Sequence, residues 1–381
     1  MSNTKSIASS NKKSRLVSLD ALRGFDMFWI IGTRAIAAGL IGLNLPGVLV
    51  IAGQLSHTKW NGFTFYDLIF PLFIFITGVS LVLSLQKRME RGDDRGAIFW
   101  HVLKRAVTLF LLGIVYNGVA SSHTFLGSIR VMGVLQRSAL CYGFASMLVL
   151  YTRPRTQAVT VAGILVGYWA LMRFVPVPGF GAGIWTEQGN LAHYIDNLVL
   201  PGRMYFGNWD SEGLLSTIPA VATCLMGVLT GQWLRTTEWH QGQTLDAEQR
   251  ALYLFLAGLA LAILGLLISP IFPINKNLWT SSFVLLSGGL SAMLLAGFHW
   301  VIDLRGYRRW AFPFVVIGMN SIFIYLAARF VPFDSIIPWI MGGEIPAFLG
   351  RAQTLFAALA QLSVEGILLL WLYSRKTFIR I

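Results

Sequence analysis

The sequence contains few charged residues. Asp, Glu, Lys and Arg make up 12% of its 381 residues, and 55% are hydrophobic, whereas a soluble domain averages about 25% charged residues. Together with a mean hydropathy of +0.63, this excludes an ordinary soluble protein. Residues 1–19 are polar and basic and lack the apolar stretch and cleavage site of a signal peptide. We therefore predict a disordered cytoplasmic tail at 1–19 and one membrane domain at 20–381.

The sequence also lacks the motifs of soluble enzymes. It contains no Walker loop, no GxSxG, no HExxH and no GxGxxG after a strand. Its two cysteines, Cys141 and Cys224, lie inside apolar runs and indicate neither a disulfide nor a CxxC metal site. His57 has no second histidine at metal-ligand spacing, so no metal is expected. No internal repeat of the kind found in many transporters is visible.

Long apolar runs dominate the sequence. A helix needs roughly 20 mostly apolar residues to cross a bilayer, and such windows predict an all-α bundle of about ten transmembrane helices. The windows are 24–43, 65–85, 98–118, 131–151, 157–175, 213–234, 251–272, 279–301, 311–331 and 353–374.

The positive charges predict the orientation of this bundle. Cytoplasmic loops carry an excess of Lys and Arg, and most of the 30 basic residues fall in segments on the same side as the N-terminus. Both termini are therefore expected in the cytoplasm, with the chain in the inner (plasma) membrane. The same distribution explains the net charge of +13 without a nucleic acid as partner.

Two long loops are predicted on the outer face, at 44–64 and 176–212. Both are rich in Gly, aromatic and polar residues, and the other outer connections are short. A lid or ligand-binding segment is one interpretation of such loops. A structural cap on the bundle is the other.

Ionisable residues cluster at the outer end of the second span. Asp67 follows His57 by ten residues, and Lys59, Trp60 and Asn61 lie between them. Ionisable groups within a membrane are costly, so each is a candidate for function. We expect this segment to bring together a base, a cation, an amide and a carboxylate. An interfacial aromatic anchor with a helix cap is the alternative.

The fourth span carries a second candidate set. Arg130 and Arg137 are two helical turns apart and therefore lie on one face, with Gln136 beside them. An arginine at this depth needs a carboxylate or a polar cavity, and Asp67 is one expected partner. A purely structural buried pair is the alternative. Asn320, midway along the ninth span, bridges helices or lines a cavity.

Six segments together carry a family resemblance. They are SLDALRGFDMFW (18–29), HTKWNGFTFYDLIFPLFIFITGVSL (57–81), IRVMGVLQR (129–137), EGLLSTIPAVATCLMG (212–227), NKNLWTSSFV (275–284) and GMNSIFIY (318–325). These segments are similar to the heparan-α-glucosaminide N-acetyltransferase family and its bacterial relatives. The resemblance implies a transmembrane transfer of acetyl from cytoplasmic acetyl-CoA to the amine of a terminal glucosamine on the far side. It also places the family's proposed catalytic histidine, in H-x-x-W-N-G, at His57.

The residues present agree with that chemistry. Transfer from a thioester to an amine needs a base, and His57 suits this role, with Asp67 orienting the imidazole or binding the substrate ammonium. The candidates for substrate binding or oxyanion stabilisation are Lys59, Trp60, Asn61, Arg130, Gln136, Arg137 and Asn320. Arg23, Lys104 and Arg105 are expected to bind the phosphates of acetyl-CoA, the cosubstrate.

Two other functions are compatible with the same residues. A permease for an amino sugar or an N-acetylglucosamine-related solute would use the polar spans as a passage, with Asp67 and Glu365 as proton carriers. A scaffold without chemistry would leave the buried ionisable residues unexplained. The acceptor and the oligomeric state, a homo-oligomer included, stay open.

Overall fold

The computed structural model describes residues 16–119, 129–236, 244–340, 342 and 348–379. Helices account for most of this part of the chain. The α-helices are α1 (Val17–Leu43), α2 (Pro46–Gln54), α3 (Phe65–Glu90), α4 (Arg95–Val119), α5 (Val134–Tyr151), α6 (Pro154–Phe174), α7 (Leu191–Val199), α8 (Leu214–Arg235), α9 (Ala247–Leu267), α10 (Ser281–Phe298), α11 (Phe312–Met319), α12 (Ser321–Phe330), α13 (Ile337–Ile340) and α14 (Gln353–Ser374). A π-helical turn, His299–Leu304, continues α10.

The predicted bundle of about ten transmembrane helices is confirmed. Within the described residues, nine helical segments are long and apolar enough to cross a membrane. Helices α11 and α12 make a tenth span when they are counted together, although they are bent by 73°. Helix α1 begins before its predicted window because the Asp303 carboxylate accepts the backbone N–H groups of Val17 and Ser18, at 3.2 and 3.3 Å.

Helices α3, α8 and α10 form the centre of the bundle, and most of their side chains are buried. The backbones of α3 and α8 lie in contact at two glycines. A Cβ at Gly78 would overlap the carbonyl oxygen of Cys224, and a Cβ at Gly227 would overlap that of Phe75. The outer helices expose large apolar side chains such as Leu111 and Val166, as is expected of surfaces that face lipid.

The bend between α11 and α12 lies at Asn320. Its side chain donates to the Thr377 carbonyl at 3.1 Å and accepts from the Ile379 N–H at 2.9 Å. The amide thereby binds the segment that follows α14. The ninth span is thus broken where the sequence pattern predicts a continuous helix.

The two ends of the bundle differ in character. We call one end the loop face, because it carries the long connecting segments 44–64, 175–213 and 268–280. These segments contact each other through side chains such as Trp60, whose indole N–H donates to the Trp185 carbonyl at 2.7 Å. The opposite end, the tail face, carries ion pairs between helix ends, among them Arg235 with Glu90 at 2.6 Å.

Candidate active site

A buried carboxylate at the start of α3 organises the loop face. The sequence Thr64-Phe-Tyr-Asp67 forms a capping box, in which Asp67 Oδ2 accepts from the backbone N–H and the hydroxyl of Thr64, at 3.1 and 3.0 Å. The same oxygen accepts from the N–H and hydroxyl of Thr58, at 3.3 and 3.1 Å. The Asp67 side chain is fully buried. The position of Asp67 is thus fixed by four donors.

The second oxygen of this carboxylate holds His57. Asp67 Oδ1 lies 2.7 Å from His57 Nδ1, and the ring stacks on Tyr66 with centroids 4.4 Å apart. The histidine side chain is 46% exposed while its partner is completely buried. A carboxylate that accepts the Nδ1 hydrogen leaves Nε2 as the proton acceptor of a neutral ring. The structure therefore brings the two predicted catalytic residues together in a base-and-orienter geometry.

Lys276 completes this group, although the sequence analysis did not include it among the site residues. Its Nζ lies 2.9 Å from Nε2 and 3.1 Å from Nδ1 of His57. The loop that carries Lys276 docks on the histidine loop through the Asn275 side chain, which donates to Asn61 Oδ1 at 3.0 Å. The amide of Gly62 also binds this loop. The run of Asn and Lys in Asn275-Lys276-Asn277 is the signal in the sequence that points to it.

Arg130 is paired with acids of the 175–213 segment, so its expected pairing with Asp67 is wrong. Its guanidinium donates to Asp210, at 2.6 and 2.5 Å, and to Glu212. It also lies over the Tyr205 ring, 4.7 Å from the centroid. Asp67 could not serve as the partner because its oxygens are held by His57 and the capping box.

Burial and charge together perturb the pKa values around this group. Burial lowers the pKa of Arg130, but the hydrogen bonds and charges of Asp210 and Glu212 outweigh it and raise the pKa overall. Burial raises the pKa of Glu212, but the charges of Arg130, Arg137 and Lys276 lower it below its usual value. Glu212 therefore stays a carboxylate between cations.

Arg137 is completely buried. Its hydrogen bonds go to residues at the start of α8, and its expected pairing with Asp67 is not among them. It donates to the Ser216 hydroxyl, and to the Thr217 hydroxyl and Gly213 carbonyl, both at 3.3 Å. Its guanidinium lies 4.7 Å from the centroid of the Trp279 ring. These contacts join α5 to the start of α8 beneath the loop face.

The other predicted substrate residues divide into three groups. Trp60 and Asn61 connect loop segments through the hydrogen bonds given above, and Lys59 is exposed beside them. The buried Gln136 amide has no hydrogen-bond partner among the described residues. Asn320 binds the chain end at the tail face, apart from His57.

The predicted cofactor-binding cations lie on two different helices. Arg23 of α1 donates to Ser80 at 2.6 Å and pairs with Asp20 at 3.3 Å. Lys104 of α4 is exposed, whereas the Arg105 guanidinium lies over the Tyr142 ring of α5, 4.9 Å from its centroid. Metal binding is a separate question. Within the described residues, no three His, Cys, Asp or Glu side chains lie close enough together to hold a metal ion.

The fold and this site define a class of protein. It is a polytopic helical membrane protein with an acid–histidine–lysine group at one end of the bundle. The chain belongs to the heparan-alpha-glucosaminide N-acetyltransferase family, whose catalytic-region profile matches residues 15–270. This match confirms the family predicted from the motifs, and it includes His57 and Asp67 but ends before Lys276.

Two curated relatives show the extent of the similarity. The chain is 27% identical to the heparan-alpha-glucosaminide N-acetyltransferase of Mus musculus over 324 residues, which covers 71% of this chain and 48% of the mouse protein. The Homo sapiens protein of the same name is 28% identical over the same length and the same shares. The chain thus spans about half the length of the curated relatives it matches.

Proposed function

We propose that this chain is a transmembrane acetyltransferase. It moves an acetyl group from acetyl-CoA to the amine of a glucosamine-type sugar at the loop face, with His57 as general base. The observation that carries the proposal is the 2.7 Å contact between His57 and the fully buried Asp67. Family membership supplies the reaction class, and the geometry supplies a base for it.

The base function follows from the orientation of the imidazole. With its Nδ1 hydrogen donated to Asp67, the ring presents Nε2 to the amine, and it takes the ammonium proton there. Asp67 then stabilises the imidazolium that forms. Because the carboxylate is fixed by the capping box and by Thr58, no reorganisation of α3 is needed during the proton transfer.

The remaining steps need a cation for the developing oxyanion and a proton for the leaving thiolate. The deprotonated amine attacks the thioester carbonyl carbon, and the negative charge moves to the carbonyl oxygen. We assign the stabilisation of this oxyanion to Arg130, one of the candidates from the sequence pattern. Collapse of the intermediate breaks the C–S bond, the nitrogen releases its second proton to water, and the imidazolium of His57 is the proton donor for the thiolate.

Acetyl-CoA enters from the tail face in this proposal. Arg23, Lys104 and Arg105 supply cations for its phosphates there, and the positive-inside rule predicts that this face lies on the cytoplasmic side of the inner membrane. The acceptor sugar binds on the outer side. The thioester end of acetyl-CoA must therefore pass between the helices to reach His57.

The permease alternative has weaker support. It needs Asp67 and Glu365 to exchange protons during transport. The five contacts of Asp67 occupy both of its oxygens, and because each bond favours the charged form, Asp67 is a poor proton carrier.

The test uses purified full-length protein in proteoliposomes. With acetyl-CoA and glucosamine, we expect free CoA thiol and N-acetylated sugar to form in equal amounts. Sugar flux without release of CoA thiol would contradict the proposal and favour the permease. If a panel of amino sugars gives no flux and no acetyl transfer, the proposed reaction is contradicted as well.

A further inference from the structure

Lys276 places a primary amine at the atom that the proposed reaction assigns to the acceptor. Its Nζ lies 2.9 Å from His57 Nε2, within hydrogen-bond distance of the ring's proton-accepting nitrogen. The other ring nitrogen is held by Asp67 at 2.7 Å. The chain's own amine therefore occupies the place where the amine of a substrate would give up its proton.

The loop around Lys276 is held rigidly on the histidine loop. The buried Asn275 donates to Asn61 at 3.0 Å and accepts from the Leu278 N–H at 2.9 Å. The Gly62 N–H binds the Ile274 carbonyl at 2.9 Å. Since the backbone is fixed on both sides of Lys276, only its flexible side chain moves when another amine enters.

The surroundings of Lys276 favour the neutral, nucleophilic amine. Burial lowers its pKa, as does the charge of Arg137, while the charges of Glu212 and Asp67 oppose this shift only in part. A lysine with a lowered pKa holds a larger share of neutral amine near pH 7 than a lysine in water, and neutral amine is the form that attacks a thioester.

We propose that Lys276 is a self-acetylation site, acetylated from acetyl-CoA at the chain's own site when no acceptor amine is bound. This inference rests on the proposed function, because it uses the same base and the same donor. The Nζ lone pair of the neutral amine forms the N–C bond to the carbonyl carbon, and His57 Nε2 takes the proton that the attacking nitrogen loses. The C–S bond breaks, and the thiolate leaves with the electron pair and takes the proton from the imidazolium. The products are an N-acetyl-lysine and a free thiol.

Acetylation of Lys276 inactivates the site that produces it. The amide nitrogen has no basic lone pair and no charge, so it neither reacts again nor leaves. It stays beside His57 and occupies the place of the acceptor amine. Each chain therefore takes up a single acetyl group at Lys276, and a bound amino sugar protects the site by displacing the lysine.

The experiment measures acetylation of full-length purified protein by mass spectrometry of its peptides. The protein is incubated with acetyl-CoA, with and without glucosamine. We expect acetyl on the peptide that contains Lys276, a strong decrease with glucosamine present, and loss of the modification in His57→Ala. The exposed Lys59 is the internal comparison, because it lies two residues from His57 in the sequence yet projects outward.

Two controls separate this inference from the proposed function. Asp303→Asn alters a second acid–histidine pair, at 3.0 Å from His299 on the tail face, and should leave the acetylation of Lys276 unchanged. Transfer to glucosamine is measured on the same samples. If the sugar is acetylated but Lys276 never is, the inference fails and the proposed function stands. If neither is acetylated, both fail.

Equal acetylation of Lys59 and Lys276 that persists in His57→Ala would also overturn the inference. It would show that acetyl-CoA reacts with accessible lysines without the site. Acetylation of Lys276 that depends on His57 is the result that the geometry predicts.

Discussion

At the scale of single residues, Asp67 serves two purposes at once. It caps α3, and it holds His57 by a hydrogen bond of 2.7 Å. A change at this residue therefore affects both stability and chemistry. Asp303 offers a comparison, because it also binds a histidine and also accepts from the first N–H groups of a helix, α1, at the other end of the bundle.

Asp67 and Asp303 can therefore be compared by making the same substitution at each. Asp67→Asn and Asp303→Asn should each lower the free energy of unfolding by about 1–3 kcal/mol, because each leaves donors without a carboxylate. Only Asp67→Asn should also lower acetyl transfer, on the order of tenfold to a hundredfold, because it releases His57, the proposed general base. Thermal unfolding in detergent and transfer per folded molecule are the two measurements. Equal loss of transfer in both variants would assign Asp67 a structural role alone.

A second residue-scale prediction concerns His193, which stacks on Trp209 with centroids 4.5 Å apart. Burial lowers its pKa from 6.5 to about 4, against the effect of its hydrogen bond to the Glu187 carbonyl. Between pH 6.5 and about 4 the unfolded chain binds a proton that the folded chain does not. The contribution of His193 to stability therefore decreases as pH falls through this window.

Asp196 acts with the opposite sign in an overlapping window. Burial raises its pKa from 3.8 to about 6, so the folded chain binds a proton before the unfolded chain does, and its contribution increases as pH falls from 6 to 3.8. His193→Gln leaves only this second effect. Between pH 7 and pH 5 the free energy of unfolding of the variant should therefore rise by about 2 kcal/mol relative to that of the wild type. Unfolding midpoints at both pH values test this, and identical changes in the two proteins would contradict it.

Sequence reasoning found part of this site. His57 and Asp67 lie ten residues apart around a helix start, and local capping rules are enough to suggest that they meet. Lys276 lies 219 residues from its partner, and Arg130 lies 80 residues from Asp210. Contacts of that separation depend on how helices pack, which neither periodicity nor spacing within one segment reveals.

At the scale of elements, hydrophobic length predicted the spans because burial in lipid is a local requirement on each helix. The break at Asn320 was not predicted, since its neighbours are as apolar as a continuous span. The short helices α2 and α7 were not predicted either, because each has only nine residues. They lie within the loops that the sequence identified as unusual.

The contact between α3 and α8 supports a prediction at this scale. Gly227→Ala should lower the free energy of unfolding by about 1–3 kcal/mol, because the added Cβ would overlap the Phe75 carbonyl and push the helices apart. Gly167→Ala in α6 is the control, because a Cβ there meets open space, and it should be neutral or slightly stabilising. Thermal unfolding of both variants is the measurement. A stable Gly227→Ala protein would contradict the close packing.

At the scale of the whole molecule, the proposed reaction requires a fixed orientation. The loop face must lie outside and the tail face inside, as the basic residues predict. The native cysteines, Cys141 and Cys224, are buried, so they do not interfere with labelling of introduced cysteines.

Orientation can be tested with an impermeant thiol reagent on intact cells. Gln188→Cys, in the exposed part of the loop face, should label without permeabilisation. Thr156→Cys, at the exposed start of α6 on the tail face, should label only after permeabilisation. The opposite pattern would contradict the predicted orientation and with it the entry of acetyl-CoA from the cytoplasm.

The central claim is that His57 is the general base of an acetyl transfer. The most direct measurement compares wild type and His57→Ala on one amino-sugar acceptor, per folded molecule, with release of CoA thiol and formation of N-acetyl sugar followed together. The account predicts a loss in turnover on the order of 10²–10⁴, with folding intact because the His57 side chain is 46% exposed. Acetylation by His57→Ala at the wild-type rate would contradict it.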